Sequence, residues 1–283
     1  MTILVTGATG AVGRHLVAAL VAGGEQVRAL TRKPQEAGLP AGVEVVGADL
    51  TDPSTLHADL FDTVDRVFVF PAEHGVDEFV AAAVNATVDR FVVLSSLAAA
   101  GEFSRDIGSA SYTHHLAVEQ AVTSRTDDWT ILRPGTFANN LLAWAWTIKA
   151  GAPVRAPYIH SAQAPIHEAD IADAAAAVLT QDGHSGKIYP LTGPQSLTRI
   201  DQVAAISAAI GRDIQLLEIS PDEFRADAAQ YIPESIIAML LDYWSDTVTE
   251  PDRPRPGMRD LTGRPGRTLE QWARDHRADF GAA

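Results

Sequence analysis

Strand-length apolar runs recur through the first half of the chain at Ile3 to Val5, Val27 to Leu30, Val43 to Val46, Val67 to Phe70, Phe91 to Leu94 and Thr130 to Leu132. Between most of them the apolar positions return at helical spacing, as in Val12, Leu16, Ala19 and Leu20, or Val76, Phe79, Val80 and Ala83. Strands that are apolar throughout and alternate with helices predict a parallel sheet covered on both faces, because parallel neighbours require crossover connections. The stretch from Arg32 to Gly42 holds Pro34, Gly38 and Pro40, so a loop or a short turn of helix is expected there. After Pro134 the rhythm changes to aromatic helical segments from Phe137 to Lys149 and from Pro233 to Trp244, then a Pro/Arg-rich strap from Pro251 to Arg267. Lys187 to Leu191 and Ile214 to Glu218 look like strands that extend the same sheet. The expected organisation is residues 1–135 as one domain and 136–283 as a smaller, mostly helical part interleaved with the sheet.

Composition narrows the partners. A chain of 283 residues with 46% hydrophobic content has enough apolar material for one large core, or for a main domain with a smaller cap beside a shared cleft. Its 22 basic and 36 acidic residues give a formal charge of −14, which repels nucleic-acid backbones and anionic membranes. Cysteine is absent, removing disulfides, thiolate metal sites and thiol nucleophiles. Met1 leads straight into Thr2-Ile3-Leu4-Val5, and no segment offers the ~20 apolar residues of a membrane span. A cytoplasmic monomer or homodimer acting on a small molecule is the expectation.

The first strand runs into Gly7-Ala8-Thr9-Gly10-Ala11-Val12-Gly13, and an amphipathic helix starts inside this segment. One glycine permits the tight turn, the next lets a pyrophosphate approach the backbone, and the third lets helix pack on strand. The amino end of the helix then offers unpaired N–H groups and partial positive charge to phosphates. These features predict a Rossmann-type doubly wound α/β domain with a dinucleotide on Gly7, Thr9, Gly10, Ala11, Val12 and Gly13. An NAD-specific site carries a carboxylate at the end of the second strand, whereas this chain has Thr31-Arg32-Lys33. A guanidinium pairs bidentately with a 2′-phosphate, so Arg32 points to NADP(H); the alternative is an arginine that stacks on adenine or stays solvated. Asp49 and Leu50 are placed to contact the adenine, with a turn or helix cap before Asp52-Pro53 as the competing role for Asp49. Pro71, Ser95, Pro134 and Phe137 complete the expected cofactor set.

Several motifs together resemble the NmrA-like, atypical short-chain dehydrogenase/reductases. They are Thr6-Gly7-Ala8-Thr9-Gly10 with Gly13, Arg28-Ala29-Leu30-Thr31-Arg32, Gly47-Ala48-Asp49-Leu50, Ser95-Ser96, Thr130-Ile131-Leu132-Arg133-Pro134-Gly135 with Phe137 and Asn140, Asp170-Ile171-Ala172, and Thr262-Gly263-Arg264-Pro265. The resemblance implies NADP(H) along the strand carboxyl ends, and members that reduce quinone-like, aromatic or carbonyl substrates or only sense the cofactor. It also implies a catalytic tyrosine followed four residues later by a lysine, which lowers the phenol's pKa. Counting back from Glu119, Ser111 stands at the tyrosine position and His115 at the lysine position. Tyr112 is one residue late and is followed four residues on by Leu116. Tyr112 with His115, one turn apart, forms a candidate substitute dyad, set against a purely structural histidine. His114 points elsewhere around the helix. Ser96, at a strand carboxyl end, is either catalytic or a capping serine.

On the substrate side the resemblance places the Pro134-Gly135 turn and Phe137 against the nicotinamide. Asn140 is a candidate to orient a polar atom, and Trp144, Tyr158, Tyr243 and Trp244 to wall a pocket for a flat ligand, against ordinary helix packing for each aromatic singly. His160 and His167 lack the spacing of convergent metal ligands, so no metal is expected. Asp170 reads as a helix cap, and the strap arginines Arg253, Arg255, Arg259, Arg264 and Arg267 as an anionic-substrate contact or a solvated face. The leading expectation is an NADPH-dependent reductase of a quinone, enone or aromatic, polyketide-like carbonyl. The alternative is a non-catalytic NADP(H)-sensing regulatory protein, and sugar-nucleotide epimerisation is weaker because it leans on the absent tyrosine and lysine.

Overall fold

The structure, a computed structural model, describes residues 1–282. Along the chain the elements are β1 (Thr2–Val5), α1 (Ala11–Ala22), β2 (Gln26–Thr31), β3 (Glu44–Gly47), β4 (Val64–Val69), α2 (Val76–Asn85), β5 (Arg90–Leu94), α3 (Ala110–Thr123), β6 (Trp129–Pro134), α4 (Ala145–Lys149), β7 (Val154–Ala156), β8 (Ala162–Gln163), α5 (Glu168–Thr180), β9 (Lys187–Leu191), β10 (Leu197–Thr198), α6 (Arg199–Ile210), β11 (Leu216–Glu218), α7 (Pro221–Ala228), α8 (Glu234–Thr249), α9 (Gly257–Thr262) and α10 (Leu269–Asp275). The chain divides into two compact units.

The first unit comprises Met1–Pro134, Glu168–Leu191 and Gly257–Arg264. Its seven strands run in the order β3-β2-β1-β4-β5-β6-β9, every neighbouring pair parallel. α1 packs with α5 and α2 with α3, so helices cover both faces and the strands can be apolar throughout. One face buries Leu4, Val67, Phe79, Phe91, Val122 and Ile131 in a common cluster. The order reverses between β1 and β4, and their carboxyl ends are tied by Thr6, fully buried, whose hydroxyl donates to the Phe68 carbonyl and accepts from the Phe70 N–H. Such a switch point opens a crevice where doubly wound sheets bind ligands.

The second unit comprises Gly135–His167, Thr192–Pro256 and Pro265–Ala283, of which Ala283 is outside the described residues. Trp272 and Phe280 are fully buried here beside Val154, Ile206 and Leu269. A polar cluster of Ser161, Gln163, Gln202 and Thr247 is buried nearby in this unit, each side chain answered by another.

Three expectations change. The strand at Leu216–Glu218 does not extend the large sheet; it pairs with β7 in a separate two-stranded sheet, a short local alternative that its apolar pattern cannot distinguish. The segment after Phe137 begins as a 3-10 helix, Ala138–Trp144, before turning into α4. Asp170 stands inside the first turn of α5, which starts at Glu168, and its fully buried side chain lies 3.9 Å from Arg264, which also pairs with Asp173. Arg264 is thus tied to α5 within the first unit, while Arg253 and Arg259 of the strap are exposed.

Candidate functional site

The glycine turn after β1 is built for close approach. Gly7 adopts φ +63, a conformation that favours glycine, and a Cβ there would sit 2.8 Å from the Phe70 ring. A Cβ on Gly13 would sit 2.1 Å from the Gly7 carbonyl oxygen, so only glycine lets α1 start this close to β1. Gly10 caps α1 with no side chain folded over the helix end, and the first turn carries no acid. The amino end is consequently an uncovered set of N–H donors with partial positive charge. Arg14 reaches back to the Thr9 carbonyl at 2.9 Å and forward to the Gly38 carbonyl at 3.2 Å, bracing the turn against the loop after β2. That brace was not legible as a site feature, because Arg14 reads as an ordinary solvated helix position.

The end of β2 adjoins this turn: the Thr9 and Thr31 hydroxyls are 3.4 Å apart. Arg32 follows, exposed and without an ion pair or hydrogen bond among the described residues, while Lys33 is held by Glu36 at 3.1 Å. Asp49 accepts hydrogen bonds from the Thr51 N–H at 2.9 Å and the Thr51 hydroxyl at 2.8 Å; these, with the charge of Arg32, hold its carboxyl below the usual range. Its side chain serves the turn, and Asp52 caps the following 3-10 segment through Ser54. Leu50 is buried, and its carbonyl is packed so tightly on Gly75, φ +80, that a Cβ there would be 1.6 Å away.

α3 carries Ser111, His115 and Glu119 at intervals of four, one column on one helix face. His115 Nδ1 lies 2.9 Å from the Ser111 carbonyl oxygen, which only accepts, so Nδ1 carries the proton and Nε2 presents a bare lone pair. Burial pushes its pKa below the ordinary 6.5, opposed by the Ser111 carbonyl and by Glu119 and reinforced by His114. The ring is neutral at pH 7. Its contribution to stability is complete above the ordinary histidine pKa and is lost as pH falls through the lower folded value. An NMR titration of His115 is expected to show a midpoint below 6.5 and an Nδ1–H tautomer above it; a midpoint at or above the ordinary value overturns this assignment.

Tyr112, one turn away, is half-buried beside Gly101, and its hydroxyl has no hydrogen bond among the described residues. His114 stands 3.3 Å from the Pro71 carbonyl, tying α3 to the loop after β4. Ser96 caps a 3-10 turn through the Ala98 N–H. Ser95 turns inward, 3% exposed, and donates to Glu119 at 2.5 Å. Glu119 in turn takes a bidentate pair from Arg133 at 2.8 and 2.6 Å. This Ser95-Glu119-Arg133 lock joins the ends of β5 and β6 to α3 and went unread in the sequence, where Arg133 is visible only as part of the Leu-Arg-Pro-Gly motif. Pro134 ends β6, buried.

Within the second unit, Phe137 bridges to Ile166, and Asn140 is exposed. Tyr158 holds φ +51, a strained conformation for a bulky residue that is maintained only where surroundings impose it. Trp144 packs into the apolar cluster around Trp272. The Tyr243 hydroxyl is shared between Thr136, at 2.8 Å, and Asp252, and Trp244 meets Phe224 edge-on with ring centres 5.1 Å apart.

A parallel sheet with this strand order, a glycine turn at its switch point and an uncovered helix end define a dinucleotide-binding protein. Comparison with known proteins agrees. The model of a family described as NAD(P)H-binding matches residues 7–182. A (4-alkanoyl-5-oxo-2,5-dihydrofuran-3-yl)methyl phosphate reductase of Streptomyces griseus is 35% identical over 98% of this chain and 99% of that one. An NAD(P)H azoreductase of Xenophilus azovorans is 33% identical over 99% of this chain and 100% of that one. Among solved structures, a triphenylmethane reductase of Citrobacter superposes with a TM-score of 0.81 at 22% identity, over 98% and 100% of the two chains. The chain belongs to the NAD(P)H-binding family and is an oxidoreductase of the NmrA-like, atypical short-chain dehydrogenase/reductase type. No helix among the described residues is long and apolar enough to cross a membrane.

Proposed function

We propose that this protein is an NADPH-dependent reductase of flat electrophilic acceptors, a quinone, an enone or an aromatic carbonyl. The observation that carries the reading is the neutral His115, with a bare Nε2 and an unbonded Tyr112 hydroxyl one turn away, where the superfamily's acid pair would stand. NADPH, when bound, supplies hydride from its nicotinamide ring. The turn from Gly7 to Gly13 holds the pyrophosphate on the α1 N–H groups, and Arg32 pairs with the 2′-phosphate. His115 Nε2 would accept a hydrogen bond from a ribose hydroxyl, the reverse of the bond a lysine ammonium, which has no lone pair, would donate there. Tyr112 is the remaining hydroxyl donor toward an acceptor oxygen. Without a lysine beside it, this phenol is a weak acid, so the favoured acceptors are those whose reduced form is a stabilised phenolate or enolate that takes its proton from water. The named activities of the relatives on a butenolide phosphate, azo compounds and, in a 28% identical Escherichia coli protein, quinones support an acceptor of this kind. Purified protein mixed with NADPH and a panel of quinones is expected to oxidise the cofactor with at least one of them; no oxidation above background overturns the proposal.

Cofactor preference gives a separate test. Arg32→Ala is expected to weaken NADPH binding roughly 10- to 100-fold, the worth of charge-assisted hydrogen bonds to a phosphate. NADH binding should change little. Fluorescence titration with both cofactors decides, and equal loss for the two would remove Arg32 from the 2′-phosphate.

A further inference from the structure

α3 is anchored unevenly. Its buried residues, Val118, Glu119, Ala121 and Val122, all lie in the second half, whereas Tyr112 and His115 stand in the first. That first half is held by the Ser109 cap, by the Tyr112 ring beside Gly101 and by a hydrogen bond from His114 Nε2 to the Pro71 carbonyl, at 3.3 Å. A carbonyl only accepts, so Nε2 carries the proton and donates it. Among the described residues, no other side chain from Ala110 to Leu116 reaches beyond α3 and its cap through a hydrogen bond or an ion pair.

The loop that receives this bond is joined to the glycine turn. Pro71 sits in a tight turn closed by the Ala72 N–H on the Phe70 carbonyl at 2.8 Å, and its ring fixes φ, so the direction of its own carbonyl is set. Phe70 donates its N–H to the Thr6 hydroxyl at 2.7 Å, and its ring lies so close to Gly7 that a Cβ there would come within 2.8 Å. His114, Pro71, Phe70 and Gly7 are therefore successive links from the helix of the reacting side chains to the turn after β1, all within the first unit. Reacting groups tolerate little displacement, since a misplacement of about 1 Å can cost about 100-fold in rate. The first half of α3 has no buried side chain that would restore its register.

We propose that His114 is a positioning residue for the reduction, its bond to Pro71 holding Tyr112 and His115 in register with the glycine turn that binds the dinucleotide. This role deepens the reductase reading and rests on it for the pairing of His115 with the cofactor ribose. The test follows the His115 Nε2 resonance by nitrogen NMR as NADP+ is added to wild type, His114→Ala and His114→Gln. Glutamine places its amide nitrogen near the position of a histidine Nε2 and keeps the donor, whereas alanine removes it and is the better helix former, so α3 is expected to persist in both. In wild type a ribose hydroxyl donating to Nε2 is expected to displace the resonance. The displacement should be much smaller in His114→Ala and largely restored in His114→Gln. Equal displacement in wild type and His114→Ala overturns the proposal, as does His114→Gln behaving like alanine. With NADPH and a quinone that wild type reduces, kcat of His114→Ala is expected to fall roughly tenfold. Kd for NADPH, set by the glycine turn and Arg32, should change far less, and an unchanged kcat overturns the positioning role. If no quinone is reduced but the NMR pattern holds, the reductase reading falls and the positioning role stands. Reduction of quinones with the same displacement in all three proteins would do the reverse.

Discussion

Replacing Glu119 with alanine is expected to destabilise the first unit by about 3–5 kcal/mol, the cost of breaking a buried ion pair by removing one partner. The carboxylate is 6% exposed and Arg133 15%, so little solvent screens the guanidinium left behind. Three hydrogen bonds vanish together, one from Ser95 and two from Arg133, and the ends of β5, β6 and α3 lose their common tie. Glu119→Gln keeps the shape and an acceptor and should lose less. Glu119 also acts on His115, raising its proton affinity against the effect of burial. Its removal should therefore lower the His115 pKa further, a change that general loosening, which admits water to the ring, would not produce. Urea denaturation and NMR titration of His115 check the two effects separately. A variant as stable as wild type would mean that the lock contributes no more than a surface pair.

The fold was legible because the inner strands of the first unit, β1, β2, β4, β5 and β6, are mostly buried on both faces, which writes itself into the sequence as apolar runs. The glycine turn was legible because steric crowding at Gly7 and Gly13 admits one residue type. What escaped was set by contacts distant in sequence. Leu216 to Glu218 carries the same apolar signature whether it joins seven strands or one, and its partner Val154–Ala156 is too short to announce itself. Asp170 reads as a helix cap, and nothing near it in sequence announces that Arg264 comes from the strap to face its buried carboxylate. Arg199 follows Thr198 at a helix start, the position of an ordinary exposed arginine, and only the packing of α6 on Trp244 reveals it as buried. Ser95 and Ser96 are adjacent at one strand end, but one hydroxyl feeds the interior lock and the other caps a turn, a distinction fixed by side-chain direction.

Gly13→Ala is expected to abolish measurable NADPH binding and to lower the melting temperature as well. The added methyl would lie 2.1 Å from the Gly7 carbonyl oxygen and 2.8 Å from the Ala8 Cα, both backbone atoms, so relief requires α1 to move away from β1. Overpacking of this kind costs roughly 1–3 kcal/mol or more, and the same displacement carries the N–H groups away from the pyrophosphate. Gly10→Ala separates the two effects. Its methyl meets the Gly7 carbonyl at 3.2 Å, a contact a small adjustment relieves, and φ −78 with ψ 176 is open to alanine. The fold should then persist while the methyl occupies space the phosphates need, giving a protein with near-normal melting temperature and weakened NADPH affinity. Calorimetric titration and thermal denaturation of both variants make the comparison. If Gly10→Ala bound NADPH as wild type does, the phosphates would not lie against this turn, and the roles given to Arg32 and His115 would fall with it.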